Sequence, residues 1–291
     1  MEAFESLFGT SPVFIALVVA AILVESYLYQ RRFHQGYPWR DALTSLGVGL
    51  GHNLTGILNQ ILIVGLMGSF VWSHRLVTLP TDTGWVYVLL FFSLEFAYYW
   101  YHRLSHEMAL MWATHSTHHT PNEITLSAAI RLGWTPFLSF SWVFFLPLVW
   151  LGFHPALVFG LLGISLAYQF WLHTRLIPPL GFLEGILNTP SAHRVHHASN
   201  DIYLDRNYGG FLIIFDRLFG TYQVELNEVP LVFGLTHPIE SQNPFVVVFH
   251  VWRKLIDKLL TVKGYRNKCR ALFDRPGWLP PEMANVQENP E

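Results

Sequence analysis

The sequence predicts an all-α integral membrane protein carrying a histidine-rich helical cap, and three observations support this. Charged residues make up 13% of the 291 residues and hydrophobic ones 52%, against the ~25% charge of an ordinary soluble domain. The apolar residues fall in runs close to the ~20 residues that cross a bilayer core. Eight of the 15 histidines gather in short boxes just beyond those runs. The net charge of −2, with no basic run, points away from nucleic acid. The single cysteine, Cys269, excludes a disulfide framework and thiolate ligation, so any metal must be held by nitrogen and oxygen.

The elements follow in order, as one integral membrane domain over 1–291. The start is acidic, with Glu2 and Glu5, and lacks the basic region of a secretory signal. Pro12 to Tyr29 reads as a first transmembrane helix. Gly49 to Trp72 reads as a second, whose His52, Asn53, Asn59 and Gln60 are expected to face protein or a cavity rather than lipid. Gly84 to Tyr101 is the third and runs directly into His102. Residues 12–101 thus hold three transmembrane helices, and 102–135 begin the cap. Pro136 to Leu151 and Pro155 to Leu172, separated by the turn residues Gly152 to Pro155, form a membrane hairpin over 136–173. About four transmembrane helices or hairpin arms result. Residues 174–275 complete the cap, with Phe211 to Phe219 a short amphipathic piece. Phe245 to Leu260 reads as an amphipathic helix lying at the interface. The proline-rich stretch 276–291 reads as a flexible tail.

Loop charge orients the chain. Arg31, Arg32 and Arg40, the arginines of the histidine segments, and the basic residues from Arg253 to Arg275 all fall on one side if four segments cross. The positive-inside rule makes that side, and the metal site on it, cytoplasmic. A bacterial inner membrane and an endoplasmic reticulum membrane fit this pattern equally.

The chemistry sits in the boxes. YHRLSHEMALMWATHSTHHT, from Tyr101 to Thr120, holds His102, His106, His115, His118 and His119. SAHRVHHASN, from Ser191 to Asn200, holds His193, His196 and His197. The spacings are H-x-x-x-H once and H-x-x-H-H twice. Positions i, i+3 and i+4 share a helix face, so each box is expected to aim its imidazoles at one point. Eight imidazoles exceed the need of one first-row ion, which suggests two metals, or one metal with outer partners. His173, closing an apolar arm in QFWLHT, is a ninth candidate ligand, and His237, in GLTHP, a tenth. His34, His52, His74, His154 and His250 stand alone and are expected to be interfacial or hydrogen-bonded. Glu107 either orients a ligand imidazole or is a surface charge; Asp201, Asp205 and Asn207 carry the same two readings. Trp100, Tyr101, Trp112 and Trp171 either fill the membrane or wall a lipid channel.

Imidazole suits zinc, copper, iron and nickel. A structural zinc site closes with four ligands, whereas two irons can share this set and keep a position open for oxygen. Oxygenation of an inert lipid C–H bond needs such an oxidant. No G-x-G-x-x-G follows a strand, so electrons must come from outside the chain. A metal transporter or a structural zinc protein are the rivals from other classes. Transport would require ionisable ligands along the crossing path, where only Glu25, His52 and Glu95 offer themselves.

These residues, with the flanks LNTPSAHRVHHASNDIYLDRNYGGFLIIFDRLFGTY and GLTHPI, resemble the fatty acid hydroxylase / sterol desaturase superfamily of membrane di-iron oxygenases. The similarity is nearest to its ether-lipid branch, the alkylglycerol monooxygenases and their bacterial relatives, and covers about Phe91 to Pro244. The resemblance implies a helical membrane fold with a cytosolic cap, two iron ions, molecular oxygen, a membrane lipid substrate and an external electron donor. The donor is tetrahydrobiopterin in the ether-lipid branch, or else a redox partner protein. It implies hydroxylation or desaturation of a fatty acyl, sterol or ether-lipid alkyl chain. The family's ligand positions fall on His102, His106, His115, His118, His119, His193, His196 and His197, and His173 also matches. Glu107 matches the glutamate beside the first box. Ala192 departs from the pattern, standing where many relatives carry a further histidine.

Overall fold

The computed structural model describes residues 12–280, so the acidic start and the tail from 281 onward lie outside the described residues. Among the described residues every named element is helical, with strand pairing limited to isolated bridges. Helix α1 is Pro12–Phe33. Helix α2 is Trp39–Gln60 and continues through a π-helical stretch, Ile61–Gly68, into Ser69–Ser73. Helix α3 is Gly84–Glu107 and α4 is Ala109–His115, followed by a 3₁₀ turn at Ser116–His119. Helices α5, Leu146–Leu151, and α6, Pro155–Phe170, form the hairpin. The last four are α7, Pro190–His197, α8, Ile214–Phe219, α9, Pro244–Thr261, and α10, Tyr265–Phe273.

One helix among the described residues, Trp39–Ser73 with 35 residues, is long and apolar enough to cross a membrane by length and composition. Leu43, Leu46, Leu50, Leu54, Ile57 and Ile61 are exposed at helical spacing along it. Two of its polar residues turn the other way, the His52 imidazole donating to Gly133 O at 2.9 Å and the Asn59 amide to Trp134 O at 3.2 Å, whereas Asn53 and Gln60, expected to face protein, are exposed. The hairpin arms are shorter than the sequence suggests. The first breaks into a 3₁₀ turn, Ser141–Phe144, and the six-residue α5; the second, α6, has 16 residues. Each is under the ~20 residues of a full crossing. Helix α3 has 24 residues, but its tyrosines, tryptophans and buried Glu95 lower its hydropathy.

Two opposite ends organise the fold. At one, the loop after α2 meets the hairpin turn, with Leu76 N donating to Trp150 O at 2.8 Å and Leu79 N to Gly152 O at 3.0 Å. Gly152 there takes φ +112, and a Cβ would stand 2.4 Å from Val77 O, so the turn requires glycine. Helices α3 and α6 run from this end to the other, where their last turns deliver the histidines. Val86, Leu90 and Leu94 of α3 bury against Leu148 and Val149 of α5 and Val158 of α6, which fixes the two rods side by side.

The histidine end is tied to the start of α2. The buried Arg131 guanidinium donates to Ser45 Oγ at 3.0 Å, Asp41 O at 2.8 Å and Thr120 Oγ1 at 3.0 Å. Trp134 lays its indole over Gly51, where a Cβ would stand 2.0 Å from the ring, and donates Nε1–H to Val48 O at 2.8 Å. Phe245 and Phe249 of α9 pack edge-on against the same indole. The first residues of the expected flexible tail are anchored: Lys258 Nζ donates to Pro276 O at 2.8 Å and Trp278 O at 3.0 Å.

Candidate metal centre

Nine histidines converge into two adjoining groups. His102, His106, His115, His119 and His196 form one; His118, His173, His193 and His197 form the other. Within each group the candidate ligand atoms all lie within 4.8 Å of one another. The last turn of α3 supplies His102 and His106. The end of α4 and the 3₁₀ turn supply His115, His118 and His119. His173 follows α6, and α7 supplies the rest. Thr189 caps α7, its hydroxyl accepting from Ala192 N at 3.2 Å, and Pro190 opens the helix.

The boxes do not each aim at one point. His115 and His119 enter the five-histidine group while His118 enters the other; His193 and His197 enter the four-histidine group while His196 crosses over. On a helix, i+4 lies about 40° to one side of i and i+3 about 60° to the other. The i+3 imidazole therefore diverges from the i/i+4 pair and reaches the neighbouring group.

Backbone carbonyls fix the tautomers. Nδ1–H of His102 donates to Tyr208 O at 2.9 Å, that of His118 to Arg131 O at 3.2 Å, that of His173 to Gln169 O at 2.9 Å, and that of His196 to Arg206 O at 3.0 Å. A carbonyl only accepts, so each of these rings presents a bare Nε2 lone pair. The His118 and His173 Nε2 atoms nevertheless lie 3.1 Å apart, and those of His173 and His193 3.0 Å apart. Nε2 of His106 and of His196 are buried without a protein partner. Converging lone pairs repel unless a cation lies among them. Separations of 3.0–3.2 Å match neighbouring nitrogens at right angles on one ion with ~2.1 Å bonds, about 3 Å. The donor set therefore fits two nitrogen-liganded metal ions.

Burial keeps these rings neutral. It pulls His118 down to about 4, assisted by the nearby Arg131 charge, and His196 down to about 3. His115, His119, His193 and His197 move the same way, through burial first and their neighbouring imidazoles second. Free lone pairs at neutral pH are what metal ligation requires.

The residues around the ligands differ in part from expectation. Glu107 does not bond a histidine; its carboxylate accepts from Arg103 Nε at 3.1 Å. The carboxylate facing a ligand ring is Asp205, whose Oδ1 lies 3.8 Å from His106 Nδ1. Helix geometry explains the exchange, because Glu107 adjoins His106 in sequence and points about 100° away from it. Asn207 is buried and braces α7, donating to Ala192 O at 3.0 Å. Asp205 and Asn207 both take left-handed backbone, φ 57, which Asp and Asn tolerate. Asp201 is exposed and stands outside both groups.

Sequence reasoning missed several supports. Asp216, buried, accepts from Tyr208 N at 2.7 Å, Gly209 N at 2.8 Å and Thr221 Oγ1 at 2.7 Å, and so sets the carbonyl that orients His102. Burial pushes its carboxyl up to about 6. Glu95 accepts from Phe211 N and Leu212 N, each at 2.8 Å, pinning the same loop to α3. Arg194 joins Glu225 at 2.6 Å and donates to Thr174 O and Ile177 O, each at 2.9 Å. It thus holds the segment after His173 against α7. The only available signal was charge at membrane depth or inside a histidine box.

His237 is exposed and belongs to neither group. His34, His52, His74, His154 and His250 are likewise outside them. A cavity of about 550 Å³ reaches the five-histidine group. Its wall includes His106, His119, His196, Trp112, Asp205, Arg275 and Trp278. Trp112 thus walls the approach to the histidines, whereas Trp100 and Trp171 do not line this cavity.

The sequence model of the fatty acid hydroxylase family matches residues 87–221, the stretch that carries all nine grouped histidines. The chain carries a fatty acid hydroxylase domain. Alkylglycerol monooxygenase of Homo sapiens is 39% identical over 97% of this chain and 62% of its own length. The Xenopus tropicalis alkylglycerol monooxygenase is 38% identical over 88% of this chain and 58% of its own. Ornithine lipid hydroxylase OlsE of Rhizobium tropici is 33% identical over 44% of this chain and 39% of its own. The chain therefore spans about three fifths of the length of these two alkylglycerol monooxygenases. No solved structure matches. Every residue of the two histidine groups lies inside the fatty acid hydroxylase domain.

Proposed function

We propose that this protein is a membrane-bound lipid hydroxylase that uses molecular oxygen and two iron ions. The observation that carries the reading is the division of nine histidines, eight of them buried and His115 half-buried, into groups of five and four with converging lone pairs. A structural zinc site needs four ligands and would leave the second group without a role. The relatives' names, alkylglycerol monooxygenase and ornithine lipid hydroxylase, favour oxygenation over desaturation. The longer and more similar ones favour an alkylglycerol ether lipid as substrate.

His102, His106, His115, His119 and His196 would hold one iron, and His118, His173, His193 and His197 the other. Iron, when bound, supplies the oxidising power that a lipid C–H bond demands. The chain's own contribution is positional. The carbonyls of Tyr208, Arg131, Gln169 and Arg206 hold the rings in the tautomer that presents Nε2. Burial keeps those nitrogens unprotonated. Trp112 and Trp278 add apolar surface to the cavity wall beside the histidines. We assign the cavity to the external reductant, tetrahydrobiopterin or a redox partner's cofactor, because it opens beside Arg275 and Asp205 rather than along the apolar helices. The lipid tail reaches the histidines from the bilayer, along the helices that end there. In the overall reaction one oxygen atom enters the carbon beside the ether oxygen and the other leaves as water, with two electrons from the reductant. The resulting hemiacetal breaks to an aldehyde and a free glycerol hydroxyl.

Helices α1, α2 and α3 are read as membrane-crossing, with the two hairpin arms as partial or full crossings completed by their flanks, and the histidine end as cytoplasmic from its arginines. The test is purified protein in lipid nanodiscs, supplied with alkylglycerol, ¹⁸O₂ and tetrahydrobiopterin. The expected result is about two irons per chain and ¹⁸O in the aldehyde before exchange, trapped by immediate reduction to the alcohol. One zinc per chain, with no oxygen consumed on either alkylglycerol or ornithine lipid, would overturn the proposal.

A further inference from the structure

Helix α9 presents three faces rather than two. At about 100° per residue, Val247, Val248, Val251 and Leu255 share one face, and they are buried or half-buried against the rest of the protein. Phe245, Phe249, Ile256 and Leu260 fall within about 60° of one another on a second. That stripe is exposed, Leu260 by 77% and Phe245 by 65%, apart from the sides of Phe245 and Phe249 that meet Trp134. The third face is polar and exposed, with Lys254, Asp257 and Thr261. A helix in water has no use for a second apolar face, whereas a helix half-sunk in a bilayer needs one.

Its position agrees. Pro244 packs on Gly47 of α2, close enough that a Cβ there would stand 2.7 Å from the proline ring. Phe245 and Phe249 contact Trp134, which is bonded to Val48 of α2. The stripe therefore begins beside the exposed leucines of the candidate span, at the span's histidine end. Beyond it, Lys263, Arg266 and Lys268 are exposed around Tyr265, itself 85% exposed, and Lys254 is exposed on the polar face. None of these four cations takes part in an ion pair among the described residues.

We infer that α9 and the start of α10 form a surface that docks on an anionic lipid leaflet at the histidine end. The stripe Phe245, Phe249, Ile256 and Leu260 enters the headgroup–acyl boundary, and Lys254, Lys263, Arg266 and Lys268 meet the anionic headgroups. Near a membrane surface each such cation attracts anionic lipid and the attraction is screened by salt. The inference rests on the membrane reading above. Its consequence reaches the site, because Asp274 O at the end of α10 accepts from Ala109 N of α4 at 3.0 Å, and Arg275 and Trp278 beyond it wall the cavity.

The test uses the full chain with Cys269→Ser, reconstituted in nanodiscs of phosphatidylcholine with or without phosphatidylglycerol. Spin labels are placed singly through Leu260→Cys on the stripe, Thr261→Cys on the polar face and Leu54→Cys in the span. Collision with oxygen against a water-soluble nickel chelate reads depth. The expected pattern is lipid-like at positions 260 and 54 and water-like at 261, with position 260 moving deeper when phosphatidylglycerol is present. Replacing Lys254, Lys263, Arg266 and Lys268 together by glutamine should abolish that movement. A water-like signal at 260 with a lipid-like signal at 54 overturns the docking surface and spares the membrane reading; water-like signals at both overturn the membrane reading. Dipolar broadening between labels at 260 would assign the stripe to a second copy of the chain, and equal depth with and without phosphatidylglycerol would remove the anionic headgroups; either result overturns the inference.

Discussion

Nε2 of His118 and Nε2 of His173 face each other at 3.1 Å although 55 residues separate them, and each ring's Nδ1 is committed to a backbone carbonyl. Neither nitrogen has a proton to share, so a metal ion between them is the arrangement that stabilises both. His173→Ala should reduce bound iron and lower lipid turnover by more than the ~10–100-fold typical of losing an outer partner. Iron content and turnover of the purified variant, with circular dichroism to confirm folding, check this. Unchanged turnover would remove His173 from the ligand set.

Asp205 and Glu107 should separate cleanly. Asp205→Asn keeps a residue that tolerates φ 57 and removes the charge facing His106, so iron affinity should fall about tenfold. Glu107→Gln, whose partner is Arg103, should leave affinity within about twofold, as expected for a half-exposed ion pair. Competition with a calibrated chelator reads both.

The Arg194–Glu225 pair is buried at 5% and 18% side-chain exposure. Arg194→Met leaves the carbonyls of Thr174 and Ile177 without this donor and the Glu225 carboxylate with the Ser191 hydroxyl but no cation. The loss should be about 3 kcal/mol of stability, read as a lowered denaturation midpoint in detergent. The segment after His173 should also gain hydrogen-exchange rate.

Gly51→Leu should lower stability by about 1–3 kcal/mol through overpacking, because Trp134 occupies the space its side chain would need. Gly56→Leu, on the same helix with open space around it, is the control and should change the midpoint little.

The metal-free protein should lose stability in acid. The grouped histidines have folded-state values depressed below the ~6.5 of the unfolded chain. The unfolded chain therefore binds more protons as pH falls through 6.5, and stability drops until the folded values are reached, about 4 for His118 and about 3 for His196. Asp216, pushed up to about 6 by burial, and Asp205, raised by burial as well, work in the opposite sense above ~3.9, and the nine imidazoles outweigh them. Denaturation midpoints of iron-stripped protein should thus be level above pH 7 and fall steadily from pH 6.5 to 4.5.

The spacing of eight histidines made the site legible, and His173 was legible from its place at the end of an apolar arm. Helical periodicity could not assign each histidine to its group, because i+3 and i+4 diverge and only the meeting of α3, α4 and α7 decides which neighbour each ring finds. The tautomer-fixing partners carried no sequence signal at all, since a carbonyl is present at every residue. Glu107 adjoins His106 in sequence yet meets Arg103, while Asp205 reaches His106 through a left-handed turn that composition does not announce. The apolar runs located the helices well. They overstated the hairpin, where Pro136 and the 3₁₀ turn at Ser141–Phe144 shorten the first arm.

The exchange between the two H-x-x-H-H boxes has a consequence for assembly. His118 leaves its own box to join His193 and His197, and His196 leaves its box to join His115 and His119. Neither nucleus can then be completed by one segment alone, and filling one draws the other's donors into register. Ferrous ion added stepwise should populate the empty and fully loaded forms at the expense of a half-filled one, so the two irons would enter and leave as a pair.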